Sequence, residues 1–168
     1  MRLVLFVPLL ALVGCASGPF ALEARFDEAT AARLAAPGPN TITGAALIRQ
    51  RGGGVVTCAG GAVTLVPVTA YSKEWALYEF GMEASATEGY RAQEAKPYFY
   101  KHPASWANTV RTAYCDTQGN FRFENVADGQ FYIGAEVKWM VGYVPQGGKI
   151  AKIISTGGGR RTEVMLAR

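Results

Sequence analysis

Between positions 121 and 139 the side chains alternate with a period of two. Phe121, Phe123, Phe131, Ile133, Ala135, Val137 and Trp139 share one parity, and Arg122, Glu124, Gln130, Glu136 and Lys138 share the other. A helix would scatter both sets around its circumference; a strand collects each on one face, apolar inward and polar outward. Two turn signals punctuate the pattern. Asp-Thr-Gln-Gly-Asn at 116–120 and Asn-Val-Ala-Asp-Gly at 125–129 supply residues that tolerate left-handed backbone angles. Three successive half-buried strands are therefore expected here.

The rest of the chain agrees with that reading. Its 168 residues are 49% hydrophobic and 18% charged, with 20 glycines, enough for one domain with a core and too short for two ordinary ones. A first strand is expected over 41–49, a short one over 55–58 and another over 61–67, where Val63 and Leu65 share a face and Pro67 cannot donate a ladder bond. Residues 149–155 and 162–168, joined by a turn at 156–160, predict a closing hairpin.

At the level of motif, Asp116, Gly119, Phe121, Phe123, Val126, Gly129 and Phe131 resemble the signature of carboxypeptidase-regulatory-like (transthyretin-like, prealbumin-like) domains. The Ile42-Thr-Gly44 strand and the Val63-Thr-Leu65-Val-Pro67 strand extend the resemblance. It implies an all-β fold, a single Greek-key β-sandwich of about seven strands, occupying 41–168. It implies no reaction.

The N-terminus carries an address. Arg2 precedes an apolar run of 11 residues from Leu3 to Val13, and Leu12-Val13-Gly14-Cys15 is similar to a bacterial lipobox. A run this short does not span the roughly 20 residues a transmembrane helix needs. The expectation is a signal peptide over 1–14 and a diacylglyceryl thioether on Cys15; the alternative is an ordinary signal peptide cut after Ala16. At ~0.8 kcal/mol per buried methylene, several acyl chains hold the lipid bilayer permanently. Ala16, where inner-membrane lipoproteins often carry Asp, implies the outer membrane, facing the periplasm. Residues 15–40 would then be a lipidated tether with a short helix at 26–36, capped by Asp27 and offering Leu22, Phe26 and Leu34 to the sandwich, or a frayed linker.

With Cys15 lipidated, Cys58 and Cys115 are left in an oxidising compartment, where a disulfide is expected over two buried thiols. Removal of 1–14 leaves 16 basic against 13 acidic side chains, without a basic cluster larger than Arg160-Arg161. Nucleic acid is not expected as a partner. A single histidine, His102, excludes a two-His metal site, so neither metal nor cofactor is expected. No Gly-x-Ser-x-Gly elbow or phosphate loop occurs.

The segment 70–108 departs from the resemblance, being far longer than the family's usual connection. It holds 9 of the chain's 19 aromatic residues, and a loop of that length should carry elements of its own. We expect a helical turn over 75–80 capped by Ser72, and a strand at Tyr98-Phe-Tyr100. Its rings form either a mini-core or a binding surface made of Trp75, Tyr78, Tyr98, Tyr100 and Trp106. Three functions follow from these features. The first is a non-catalytic envelope module that binds a protein or serves structure; the second is a carbohydrate-binding sandwich; the third is a small hydrolase using Glu74, Glu79, Glu83, Glu88 or Glu94.

Overall fold

The computed structural model describes residues 21–95 and 97–168. The chain runs through α1 (Glu28–Ala35), β1 (Asn40–Arg49), β2 (Val55–Thr57), β3 (Ala62–Pro67), α2 (Ala70–Phe80) and β4 (Glu88–Ala92). A 3-10 turn (Ala104–Thr109) leads into β5 (Arg111–Tyr114), β6 (Asn120–Val126), β7 (Gly129–Val141), β8 (Val144–Thr156) and β9 (Arg161–Ala167). These strands form two sheets that face each other as a β-sandwich. One is ordered β4-β8-β7-β3-β5 and is antiparallel throughout. In the other, β1 is central: β6 and β2 pair antiparallel along its successive halves, and β9 runs parallel to it.

The alternation at 121–139 is what places the core. Phe121, Phe123, Val126, Phe131, Ile133, Ala135 and Val137 are buried between the sheets with Ile42, Val63, Leu65, Ile150 and Leu166. In β7 the opposite parity is buried too, because Tyr132 and Gly134 lie under a second layer. That layer is the 70–108 segment. Tyr71, Trp75, Ala76, Phe80, Met82 and Trp106 pack on Val66, Tyr132 and Ala151, which point outward from the five-stranded sheet. The segment therefore covers a face of the sandwich and supplies its β4 edge.

The N-terminal helix forms as its residues dictate: Asp27 caps it through Oδ1, which accepts from the Thr30 N–H at 3.0 Å. Leu22 and Phe26 join the outer cluster and Leu34 the inner core, so this segment is docked on the sandwich. Cys58 and Cys115 form a disulfide with a Cα separation of 5.8 Å, joining the ends of β2 and β5.

Four expectations are corrected. Nine strands, not about seven, occur among the described residues. Tyr98-Phe-Tyr100 is not a strand beyond a single bridging position at Tyr100, and the edge strand of the segment is β4 instead. It is 88–92, not the aromatic triplet, that pairs with the free edge of β8. Ser72 is not the cap of α2. Thr69 is, and Ser72 completes a capping box as its third helical residue. Finally, β8 and β9 are not a hairpin: both edges of β8 are taken, by β7 and β4, so the chain crosses at 157–160 to the other sheet and lays β9 along β1.

Candidate functional site

The rings singled out in the 70–108 segment divide by burial. Trp75 and Trp106 are buried, with ring centroids 5.6 Å apart in an edge geometry, and Tyr71, Phe26 and Phe80 close around them. Such packing is that of a core; neither indole offers a free face to a ligand. His102 stacks on Trp106 at 4.9 Å and shares a hydrogen bond of 2.9 Å between its Nδ1 and the Tyr71 hydroxyl. Burial holds its imidazole below the usual histidine range and pushes the Tyr71 phenol up. Tyr100 is half-buried beside them, its phenol raised by the same cause. Tyr78 and Tyr98 meet edge to face at 5.1 Å, with the Arg91 guanidinium 4.6 Å over the Tyr98 ring. Of the five candidates only Tyr98 is exposed.

The carboxylates of the segment serve separate contacts. Glu74 accepts the Glu23 and Ala24 backbone N–H groups at 3.0 and 2.7 Å, strapping the N-terminal segment to α2. Glu79 pairs with Lys149 and Glu88 with Lys152, while Glu83 and Glu94 are exposed. Cys15 lies outside the described residues.

A roomy concavity lies elsewhere, at the end of the sandwich where β1 and β9 finish. The backbone N–H of Arg49 donates to the Arg168 carbonyl at 2.7 Å, and the Arg168 N–H donates to the Leu47 carbonyl, so two arginines 119 positions apart emerge side by side. The turn that follows β1 is closed by the Gln50 N–H bonding to the Gly54 carbonyl at 2.8 Å, and it carries Arg51. Across the gap stands the β7–β8 hairpin, in which Trp139 is paired with Gln146. Gly147 has φ +106, and a Cβ there would meet the Val137 carbonyl oxygen at 2.1 Å, so only glycine keeps this wall in place. From β4, Tyr90 donates its hydroxyl to the Gly147 carbonyl at 2.9 Å and receives the Arg168 guanidinium 4.7 Å over its ring.

These elements enclose a groove of about 680 Å³, within the range of roughly 300–1,000 Å³ that small-molecule clefts occupy. Arg49, Arg51 and Arg168 line it against one acid, Glu94, and Gln50, Gln146 and the half-buried rings of Tyr90 and Trp139 complete the wall. Among the described residues no ion pair engages the three arginines. Beyond Trp139 the hairpin tip is apolar and exposed: Met140 61%, Val141 59%, Tyr143 99% and Val144 54%. Sequence reasoning missed this site. From the pattern alone Trp139 is one more inward residue and Arg168 a strand end. A cation beside a Gly-rich turn was the available signal, and it is common on any surface.

No family model matches the chain, and no curated protein matches it. Among solved structures it is similar to a Pseudomonas aeruginosa protein provisionally assigned as carbohydrate binding, at 25% identity and a TM-score of 0.70, covering 86% of this chain and 99% of that one. A chlorocatechol 1,2-dioxygenase from Pseudomonas putida overlaps at 10% identity and a TM-score of 0.30, over 94% of this chain and 70% of its own. No fold or chemistry is taken from that second likeness.

Proposed function

We propose that this protein is a lipid-anchored envelope protein whose sandwich, of the carboxypeptidase-regulatory-like kind, is a non-catalytic carbohydrate-binding module with its site in the groove between β1, β9 and the β7–β8 hairpin. The observation that carries the reading is the groove's wall, which combines the half-buried ring of Trp139 with planar polar groups from Gln50, Gln146 and three arginines. Rings that receive an apolar sugar face, beside amides and guanidinia that bond its hydroxyls, are what saccharide recognition requires. The likeness to the Pseudomonas aeruginosa protein supports it. The reading moves the binding surface away from Trp75 and Trp106, which are spent on the outer core.

Geometry also supports the orientation. The N-terminal segment is strapped at Glu74, beside the end where β1 begins; the groove lies at the other end of this ten-residue strand, about 30 Å away at ~3.3 Å per residue. An anchor at Cys15, seven residues before Leu22, would place the groove on the side facing away from the outer membrane, toward the periplasm. Two measurements test the reading. Cys15→Ser should abolish incorporation of labelled fatty acid. The full chain in detergent, titrated calorimetrically against a panel of envelope-type oligosaccharides, should bind at least one; binding to none would remove the carbohydrate assignment.

A protein partner is favoured by one separate feature, the exposed apolar tip Met140-Val-Gly-Tyr-Val144. Crosslinking from position 143 in intact envelopes tests it, and reproducible capture of a single protein there would establish that second role.

A further inference from the structure

We infer that the groove at the β1–β9 end selects an anionic saccharide, a sugar carrying a carboxylate or phosphate, and that Arg49, Arg51 and Arg168 are its charge-reading residues. This rests on the carbohydrate reading of the same groove and adds the ligand's charge to it.

Arg49, Arg51 and Arg168 all line one concavity, and the only acidic side chain on its wall is Glu94. With no ion pair to any of the three among the described residues, the like charges raise each other's energy, and a bound anion relieves that cost. Lys149 and Lys152, on the same β8 strand that walls the groove, are by contrast each paired with a glutamate.

The chemistry of the arginines also suits a planar anion. Arg168 is held by its backbone bonds to Leu47 and Arg49 and by the Tyr90 ring beneath its guanidinium, which costs it little charge and removes much of its freedom. Arg49 is fixed to the same backbone pair, and Arg51 approaches from the turn. A guanidinium presents parallel N–H donors that match carboxylate and phosphate in two-point contacts, a match that a neutral hydroxyl cannot supply. Trp139 and Gln146, directly opposite each other on the hairpin, stand across from the arginines and are left for the sugar ring and its hydroxyls.

The test titrates the full chain in detergent with a uronic-acid tetrasaccharide, its methyl ester, a phosphorylated oligosaccharide and inorganic phosphate. The acid or phosphorylated sugar should bind about tenfold or more tightly than the ester, as expected when charged contacts replace neutral ones, and raised salt should weaken it. Which of the two wins identifies the anion. The triple variant Arg49→Gln, Arg51→Gln, Arg168→Gln should bind acid and ester alike while melting at the parent temperature. Equal binding of acid and ester by the parent overturns the inference and leaves the carbohydrate reading intact; binding of no saccharide removes both. Inorganic phosphate binding as tightly as the charged sugars overturns it in favour of a simple anion site. A charge preference that survives in the triple variant places the site elsewhere and also overturns it.

Discussion

The Cζ of Phe80 occupies the space over Gly134: an ideal Cβ on that glycine would lie 2.3 Å from it. The missing side chain lets the end of α2 lie directly on the middle of the five-stranded sheet. Gly134→Ala should force the ring, which is itself braced edge-on by Trp75 at 5.3 Å, and cost about 1–3 kcal/mol. Denaturant unfolding of the variant checks it, and in the double variant with Phe80→Leu the two costs should fall short of their sum.

Asn40 is fully buried at the start of β1 and satisfies three partners. Its Nδ2 donates to the Val126 carbonyl at 2.9 Å and to Asp128 Oδ1 at 2.8 Å, and its Oδ1 accepts the Arg160 N–H at 3.1 Å. It ties both β6–β7 and the crossing into β9 to the central strand. Asn40→Ala removes all three bonds and takes a donor from the buried Val126 carbonyl, which should cost about 1–3 kcal/mol, read as a lower urea midpoint with an unchanged slope.

The Cys58–Cys115 disulfide closes a separation of 57 residues. In the chain-entropy model a loop of that size stabilises by about 4 kcal/mol. Adding a reductant, or replacing both cysteines by alanine, should lower the melting temperature by a similar amount in either case. An unchanged melting curve would contradict the prediction.

His102 supplies a pH dependence. Burial keeps its folded imidazole neutral to lower pH than the unfolded value of 6.5, against a weaker pull the other way from Glu79. The unfolded chain therefore takes up the proton first as pH falls, and stability is full above that value and lost as pH drops through the folded one. Protonation also ends any acceptance of the Tyr71 hydroxyl at Nδ1. Melting temperatures from pH 7.5 down to 5 should fall more steeply for the parent than for His102→Gln. Parallel curves would show that the ring does not titrate in this window.

Local patterns in the chain carried a large part of this structure. The Phe121 to Val137 alternation marked the inward faces of β6 and β7 because burial on one side of a strand writes itself into every second residue. Asp27 announced its helix, since a capping oxygen acts within three residues. The disulfide expected between Cys58 and Cys115 is formed.

Strand pairing was a different matter. The turn at 157–160 shows that the chain reverses; it does not say which edge is free, and β7 and β4 had already claimed both sides of β8. The aromatic segment could equally have been a surface or a core until the outward residues Val66, Tyr132 and Ala151 proved to need covering. The groove is the extreme case. Arg49 and Arg168 have no local pattern in common, and what joins them is a backbone bond between strands from opposite ends of the chain. Sequence alone determined which residues turn inward, because that preference acts over a few positions. Only the tertiary structure decided which arginines share a cavity, because hydrogen-bonded edges are allotted by the whole sheet at once.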